Sequence, residues 1–402
     1  MVSNSNTHLG DFFRSSRKKG VEGLPVLSVT LNYGLVIRDQ LDRRTETNLE
    51  AGDHLLVRSG DIAYNMMRVW QGALGRATVN GLVSPAYVVL RPTEKIDSCY
   101  AEYLFKTSRM IYLFWAYSYG LTKDRLRLYF NDFARIPVEI PELQEQKKIA
   151  QILSTWDKAI TTTEQLLANS QQQKKALMQQ LLTGKQRLLD QNGERFQGEW
   201  RECQLSDVVS SLDSGVSVNG VEQDVEASYF VLKTSCVSDG VFSPYESKRV
   251  VEEQEITRLK EPLLDDSILI SRMNTPALVG ANAYVESAPE NTYLPDRLWQ
   301  VKADSNKVLM RWLAFWFSSE KTRTALSDLA SGTSGSMKNI SKKSVLAMSI
   351  RCPTMEEQQK IAAVLSAADQ EITTLQQQLD HLKQEKKALM QQLLTGKRRV
   401  LI

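Results

Sequence analysis

The sequence lacks any long hydrophobic run. Its longest apolar stretch, Met110–Tyr117, is far shorter than the roughly 20 residues that a membrane-spanning helix needs. The first residues, MVSNSNTHLG, also lack the basic segment followed by an apolar segment that marks a secretory signal. We therefore expect a protein without a membrane anchor that works in the cytoplasm.

Cysteine and histidine are scarce. The chain of 402 residues has 4 cysteines and 3 histidines, and no two cysteines have CxxC spacing. A disulfide framework or a zinc site needs several such residues at short, regular spacings. We therefore expect no metal site, and we expect the cysteines to be reduced thiols, as is usual in the cytoplasm. The cysteines are Cys99, Cys203, Cys236 and Cys352, and the histidines are His8, His54 and His381.

The motifs of common catalytic sites are missing as well. A phosphate-binding loop ending in GK would need glycine at Gln179 and Ser or Thr at Gln186. There is no GxGxxG and no GxSxG. PDRLWQVK (Pro295–Lys302) resembles an acid–acid–lysine nuclease site, but Gln300 stands where the second acid belongs. These absences favour a binding scaffold over an enzyme.

Charge of one sign is not in large excess. The formal net charge is +3, and charged residues make up 24% of the chain. This balance neither requires nor excludes nucleic acid as a partner, because phosphate binding depends on local basic patches.

A long internal repeat is the strongest feature that is present. The stretch KKALMQQLLTGK occurs at Lys174–Lys185 and again at Lys386–Lys397. At the same offset, EQKKIAQILSTWDKAI (Glu145–Ile160) matches EQQKIAAVLSAADQEI (Glu357–Ile372). Each copy follows a region whose letters differ. The chain therefore consists of two variable regions, each followed by a copy of the same segment.

The shared segment is predicted to be a long helix. Apolar residues recur at alternating steps of four and three, which is typical of a coiled-coil seam with polar interruptions. Pro141 and Pro353 end the preceding strands. Gly184 and Gly396 stand where a helix takes its left-handed C-cap.

The two copied helices are predicted to pair with each other in the antiparallel sense. Parallel pairing would separate Leu182 from Glu357 by roughly 50 Å, whereas the ends of a domain usually lie close together. Antiparallel pairing gives the arrangement a pseudo-two-fold axis and places Trp156 opposite Lys386 and Ala368 opposite Lys174. Its seam pairs are Ile149 with Leu393, Leu153 with Leu389, Ile160 with Leu382, Leu167 with Leu375 and Leu177 with Leu365. An alternative is a purely structural hairpin that carries two unrelated domains.

The variable regions share a layout of alternating apolar strands followed by an aromatic-rich helix. The helix is predicted at Ala101–Trp115 and at Lys307–Phe317, with its aromatic side chains in the core. LGDFF (Leu9–Phe13) and LSDVV (Leu205–Val209) form a weaker echo. The predicted fold class is α+β, with two similar mixed α/β domains separated by the coiled coil. The predicted domains are residues 1–140, helix 141–187, residues 188–352 and helix 353–402.

Polar and basic loops follow the aromatic helices, at Ser118–Phe133 and Ser331–Ser344. Lysine, arginine, hydroxyl and backbone N–H groups bind phosphates, and Arg, Asn and Gln also reach base edges. A solvated surface loop is the alternative. The candidate nucleic-acid contacts on these and two earlier loops are Arg68, Gln71, Thr122, Lys123, Arg125, Arg127, Arg272, Asn274, Thr333, Ser334, Ser336, Lys338, Asn339, Lys342 and Lys343.

The repeated segments resemble those of specificity (S) subunits of type I restriction–modification systems. The pattern is IPxP, then EQxKIA, then a helix that ends in KKxLMQQLLTGKxR. It lies at Ile136–Pro141, Glu145–Ala150 and Lys174–Arg187, and again at Ile350–Pro353, Glu357–Ala362 and Lys386–Arg398. The layout matches along the whole chain, except that the first domain lacks the GEW lead-in of Gly198–Trp200.

The resemblance implies a protein that is not an enzyme. Each target-recognition domain reads one half of a two-part site in double-stranded DNA, and the coiled coil sets the unread spacer. Two methyltransferase subunits bind the helices, and two restriction (motor) subunits complete the complex. The resemblance implies no cofactor in this chain, with S-adenosylmethionine, ATP and Mg²⁺ on the partner subunits.

The ends of the copied helices are the candidate partner-binding surface, because packing in the coiled-coil seam would not require the outward-facing residues of the two copies to be identical. A solvated face is the alternative for each residue. The candidates are Gln179, Gln180, Lys185, Gln391, Gln392 and Lys397.

Two rival functions stay open. A stand-alone nucleic-acid-binding scaffold, for example an RNA binder, would bind tightly and salt-sensitively without partners. An enzyme with a divergent active site would turn over DNA by itself.

Overall fold

A computed structural model describes residues 7–41, 49–122, 125–238, 240–331 and 337–401. These residues form two compact units. Unit 1 comprises Met1–Gln165 and Gln377–Ile402, and unit 2 comprises Leu166–Gln376. Each unit therefore contains one variable region, the start of one copied helix and the end of the other.

Unit 1 is a mixed α/β unit. Its strands are β1 (Phe13–Ser16), β2 (Leu27–Thr30), β3 (Gly34–Ile37), β4 (Leu55–Val57), β5 (Ile62–Asn65), β6 (Leu74–Arg76), β7 (Gly81–Val83) and β8 (Tyr87–Pro92). Its helices are α1 (Leu9–Phe12), α2 (Ser98–Phe105), α3 (Ser108–Ala116), α4 (Phe130–Phe133) and α5 (Leu143–Leu181), the last of which continues into unit 2. Short 3-10 turns cover Arg38–Gln40, Ala51–Asp53 and Val69–Gln71.

Unit 2 is also a mixed α/β unit. Its strands are β9 (Arg201–Gln204), β10 (Val209–Asp213), β11 (Tyr229–Leu232), β12 (Val237–Ser238), β13 (Val241–Phe242), β14 (Ser247–Val250), β15 (Ser267–Ser271), β16 (Met273–Asn274), β17 (Asn282–Val285), β18 (Thr292–Tyr293), β19 (Leu298–Ala303), β20 (Lys338–Asn339) and β21 (Ser349–Cys352). Its helices are α6 (Glu253–Ile256), α7 (Met310–Ser318), α8 (Glu320–Asp328), α9 (Lys342–Leu346) and α10 (Met355–Leu393), the last of which continues into unit 1. Short 3-10 turns cover Leu205–Asp207 and Thr234–Cys236.

The main sheet of each unit has four antiparallel strands in equivalent order. The orders are β1-β8-β5-β6 in unit 1 and β10-β19-β15-β17 in unit 2. The registers match beyond an irregularity between Val209 and Ser211. Ser16 lies opposite Val89, which pairs with Ala63, and Asp213 lies opposite Gln300, which pairs with Leu269. The two variable regions therefore share one fold despite their different amino-acid sequences, which confirms the predicted fold class.

Strands β5 and β15 are buried on both faces of these sheets. Successive side chains of a strand point to opposite faces. In β15, Ile268 and Ile270 belong to the core cluster that includes helix α7, whereas Leu269 belongs to a second cluster on the other face. In β5, Ile62 and Ala63 divide between two clusters in the same way. Each unit therefore has a core on both sides of its main sheet.

The aromatic segment of unit 1 forms two helices rather than the single predicted helix. The chain turns at Thr107, whose side chain accepts a hydrogen bond from the N–H of Met110 and caps α3. Phe105 and Phe114, on either side of this break, are buried with ring centroids 5.5 Å apart. Tyr112 and Trp115 are exposed, so the prediction that these aromatics lie in the core is correct only in part.

Helices α5 and α10 each have 39 residues and end as predicted. Gly184 follows α5 with a φ of 71°, and Gly396 follows α10 with a φ of 69°. Such positive φ angles are strained for residues with a Cβ atom, which explains why glycine ends both helices.

A buried glutamine ties the start of each copied helix to its own unit. The Gln146 side chain accepts from the N–H of Asp97 and donates to the carbonyls of Lys95 and Pro141. Gln358, its counterpart, accepts from the N–H of Leu309 and donates to the Lys307 and Pro353 carbonyls. Since an unsatisfied buried amide is costly, these three-way contacts position both helices.

Within unit 1, the start of α5 and the end of α10 run in opposite directions. Arg399 lies 2.5 Å and 2.7 Å from the two carboxylate oxygens of the buried Glu145. Lys386 lies 2.5 Å from Asp157. The Tyr103 hydroxyl also donates to Asp157, and burial and this hydrogen bond raise the pKa of that phenol. The antiparallel prediction is thereby confirmed.

Unit 2 contains the equivalent contacts. Arg187 forms two hydrogen bonds, of 2.6 Å and 2.8 Å, with the buried Glu357. Lys174 pairs with Asp369, and Ser170 donates to Glu371. In each unit, therefore, the glutamate at the start of one copied helix pairs with the arginine that follows the end of the other copied helix.

The ammonium groups of the two seam lysines bind residues next to their predicted partners. Lys386 contacts Asp157, which follows Trp156, and lies over the Tyr103 ring at 5.3 Å. The Lys174 ammonium pairs with Asp369 rather than only facing Ala368. The ammonium groups bind the adjacent carboxylates because these offer an opposite charge.

The two units differ at their first strand. In unit 2, Trp200 donates to Glu357 at 3.1 Å, and β9 pairs with β21. Among the described residues of unit 1, no tryptophan takes this place, and the equivalent pairing is the isolated bridge between His8 and Pro137. The LGDFF and LSDVV echo forms a short helical turn in both units, at α1 and at Leu205–Asp207.

Candidate nucleic-acid interface

In unit 1, two of the predicted contact loops meet. The N–H of Leu128 donates to the Met66 carbonyl at 3.0 Å, and the Tyr64 hydroxyl donates to the Leu128 carbonyl at 3.2 Å. Burial raises the pKa of Tyr64, so its hydroxyl keeps the proton that it donates. This joins the loop after β5 to the loop before α4. The predicted residues carried by the two loops are Arg68, Gln71, Thr122, Arg125 and Arg127, and all five are exposed.

The loop before α4 is braced by its own backbone. Tyr119 and Arg127 exchange two hydrogen bonds, of 3.0 Å and 2.8 Å. A Cβ atom on Gly120 would lie 2.5 Å from the carbonyl oxygen of Arg125, so only glycine fits there. The bracing holds the Arg125 and Arg127 side chains outward, where they are available to an anion.

In unit 2, strand pairing brings the predicted residues together. Strand β16 pairs with β20, so Asn274 lies opposite Lys338. The N–H of Ile340 donates to the Arg272 carbonyl, and Arg272 Nε donates to the Asp296 carbonyl at 2.6 Å. The predicted residues on and next to these paired strands are Arg272, Asn274, Lys338, Asn339, Lys342 and Lys343. Four predicted residues lie outside the described part of the chain: Lys123, Thr333, Ser334 and Ser336.

Sequence reasoning missed a basic segment on the edge strand of unit 1. The run RSSRKK (Arg14–Lys19) covers β1 and the residues that follow it, and its four cations are exposed. Within the described chain, no salt bridge involves Arg17, Lys18 or Lys19. In unit 2 the equivalent strand β10 reads VSSLD, without a cation. The run of four cations in six residues was a visible signal for phosphate binding.

The predicted partner-binding residues lie on the exposed side of the helix ends. Gln179 and Gln180 immediately precede Leu181 and Leu182, which are buried in the core of unit 2. Gln391 and Gln392 stand in the same relation to Leu393 and Leu394 in unit 1. Lys185 and Lys397, just after the helices, are exposed as well. The leucines explain how the helix ends pack in the cores. Core packing does not explain why the exposed residues are identical in the two copies.

The nuclease-like stretch forms an ion-pair cluster. The Lys302 ammonium lies 3.1 Å from Asp213 and 2.7 Å from Glu261. The hydrogen bond to Glu261 raises the pKa of Lys302, and the one from Ser211 lowers the pKa of Asp213. The buried Gln300 amide donates to Glu261. These groups already satisfy one another.

The described residues contain neither a cluster of metal ligands nor a membrane-spanning helix. In those ranges, no group of three or more His, Cys, Asp or Glu side chains is placed to hold a metal ion. No described helix combines the length and hydropathy that crossing a membrane requires.

The chain matches a known protein family over most of its length. The model of the type I restriction modification DNA specificity domain matches residues 5–169 and, in a second copy, residues 197–384. The two copies correspond to the two variable regions, each with much of the helix that follows it.

Two similar relatives are specificity subunits of type I restriction enzymes. The chain is 26% identical over 360 residues to the type I restriction enzyme MjaVIII specificity subunit of Methanocaldococcus jannaschii, covering 86% of this chain and 81% of that protein. It is 26% identical over 280 residues to the EcoKI specificity subunit of Escherichia coli, covering 68% of this chain and 59% of that protein.

Solved structures share the fold. The HsdS subunit of Thermoanaerobacter tengcongensis aligns with a TM-score of 0.50 at 17% identity, covering 98% of this chain and 96% of that one. The S subunit of M. genitalium aligns with a TM-score of 0.57 at 14% identity, covering 98% and 97%.

The missed basic segment generates a prediction. Replacing Arg17, Lys18 and Lys19 together by glutamine should weaken binding to duplex DNA and reduce the slope of log affinity against log salt by up to about 3, roughly one per lost phosphate contact. Titrations at several salt concentrations measure this slope.

The matched control replaces Lys147, Lys148 and Lys158, three exposed cations at the start of α5, by glutamine. This control should leave the slope close to that of the native chain. If both triple variants changed the slope equally, Arg14–Lys19 would not be a phosphate-binding segment.

Proposed function

The chain belongs to the type I restriction modification DNA specificity family, and on that premise we propose how its parts divide the work. Each unit binds one half of a two-part DNA site. The copied helices set the number of unread base pairs between the halves and dock two methyltransferase subunits.

One observation carries this proposal: the helix contacts are duplicated while the loop surfaces are not. The pairs Glu145–Arg399 and Glu357–Arg187 have the same geometry in the two units. The first strands of the two main sheets differ in charge, because Arg14–Lys19, which includes most of β1, carries four cations and β10 carries none. Identical partner subunits need matching docking surfaces, whereas a DNA sequence of two different halves needs two different readers.

We propose that the polar and basic residues described above contact DNA. Arg125 and Arg127 in unit 1, and Lys342 and Lys343 in unit 2, are exposed cations that suit phosphates. Gln71 and Asn274 carry amides that suit base edges. Since cations bind any sequence, the amides and the shape of each unit supply the selectivity.

In this proposal the chain itself is not catalytic and binds no cofactor. Methyl transfer from S-adenosylmethionine takes place on the methyltransferase subunits, and ATP- and Mg²⁺-dependent cleavage takes place on restriction subunits that join them. The complex works in the cytoplasm, where it meets duplex DNA. The Lys302 cluster supports a structural role for the nuclease-like stretch, because its carboxylates are engaged by Lys302, Ser211 and Gln300.

The division of the DNA site is tested by exchanging one reader. Cells that carry this chain and its methyltransferase partner should contain adenines methylated in both halves of one two-part sequence. Replacing residues 1–140 by the corresponding region of another specificity subunit should alter one half and leave the other half and the spacer unchanged. Sequencing of methylated adenines measures both halves.

Two results would contradict the proposal. A change in both halves would rule out independent readers. Tight, salt-sensitive binding by the chain alone, with no methylation in the presence of the partner, would favour a stand-alone nucleic-acid scaffold.

Partner docking is tested at the helix ends. Alanine at Gln179, Gln180, Gln391 and Gln392 should reduce co-purification with the methyltransferase subunit at least about tenfold, because it removes the amides that are proposed to contact that subunit. The fold should be unaffected, as judged by thermal unfolding. A control variant carries alanine at the exposed Gln171, Gln172 and Gln173 of α5. Undiminished co-purification of the four-alanine variant would remove the helix ends from the docking surface.

A further inference from the structure

Unit 1 contains a cleft beside the basic segment. Its volume is about 420 Å³, within the range of clefts that bind small organic groups. One wall is the end of β1, a second is the start of β8, and a third is Tyr129 with the start of α4. The cleft thus lies where Arg14–Lys19 approaches the loop that carries Arg125 and Arg127.

A buried hydroxyl group lines this cleft. Ser16 is 7% exposed, and its Oγ has no hydrogen-bond partner among the described residues. A buried hydroxyl without a partner is unfavourable, because it has lost its bonds to water without replacing them. A ligand with a donor or acceptor inside the cleft would satisfy it once the groups that cover the hydroxyl move aside.

The third wall presents an aromatic ring and an amide. Tyr129 is 45% exposed, and Asn131, two residues further on, is exposed too. Phe130 lies between them and stacks on the buried Phe133, with ring centroids 6.2 Å apart. This anchor holds Tyr129 and Asn131 at the cleft instead of leaving them on a free loop.

The groups that meet here are those that bind a nucleotide. Aromatic rings contact the faces of bases, and amides and hydroxyls bond to base edges. Arg17 lines the same cleft with an exposed guanidinium, the group that best matches a phosphate. A cation, an exposed ring, an amide and an unsatisfied hydroxyl together point to one nucleotide as the ligand.

The equivalent position of unit 2 is already filled. Asp213 takes the place of Ser16 in the register of the main sheet. Its carboxylate accepts from Ser211 at 2.7 Å and pairs with Lys302 at 3.1 Å. The unpartnered hydroxyl of unit 1 is therefore not a general feature of the fold.

We propose that this cleft reads one base of the half-site bound by unit 1. The base turns out of the duplex stack into the cleft, where Asn131 and Ser16 select it through its edge, Tyr129 contacts its face, and Arg17 binds the adjoining phosphate. This inference rests on the proposed function and assigns specificity-determining residues within it.

The test uses the full chain in complex with its methyltransferase partner and a library of duplexes with randomised sites. Asn131→Ala and Ser16→Ala should each relax the base preference about tenfold at one position of one half-site. Preferences at the other positions and in the other half should be retained. Sequencing of the methylated duplexes measures every position at once.

Matched variants separate reading from folding. Tyr112→Ala removes an exposed ring from the same unit outside the cleft, and Ser211→Ala removes the serine hydroxyl beside Asp213 in unit 2. Neither should change the preference in the half-site of unit 1. Ser16→Ala should unfold at the native temperature or slightly above it, because its hydroxyl has no bond to lose.

The outcomes distinguish this inference from the function on which it rests. If the native complex methylates a defined site but Asn131→Ala and Ser16→Ala keep its base preferences, the cleft does not read a base. Equal relaxation at all positions would also overturn the inference. If the native complex methylates no defined site, the proposed function itself fails.

Discussion

Two buried glutamates hold the copied helices in place. Glu145 and Glu357 lie at the starts of α5 and α10, and each is neutralised by an arginine that follows the end of the other helix. A buried carboxylate without such a partner is strongly destabilising. This requirement makes the start of one helix meet the end of the other within each unit, which only antiparallel pairing allows.

The constraint explains which residues repeat and which vary. Residues that position the starts and ends of the two helices recur in both copies, such as Gln146 with Gln358 and Gly184 with Gly396. The loops beyond β5 and β15 are joined to distant parts of the chain by backbone hydrogen bonds, from Leu128 to Met66 and from Ile340 to Arg272. Backbone bonds leave the side chains free to differ. One scaffold can therefore carry two different recognition surfaces.

The sequence predicted the features that depend on periodicity and missed those that depend on distant residues. The seam, its direction and the terminal glycines follow from local patterns. The break at Thr107 was missed, because the apolar pattern continues through a cap that one side-chain hydrogen bond creates. The cleft was missed because Ser16 and Asn131 are far apart in the chain and meet only through the fold.

Distances between spin labels test the antiparallel arrangement most directly. Labels on p-acetylphenylalanine at Gln151 and Gln392, exposed positions within unit 1, should lie closer than about 25 Å, since paired helix axes are about 8–10 Å apart. Ala363 and Gln180, the equivalent positions of unit 2, should give a similar distance. Parallel pairing would instead separate each pair by roughly 40 Å or more. Such long distances would contradict the account.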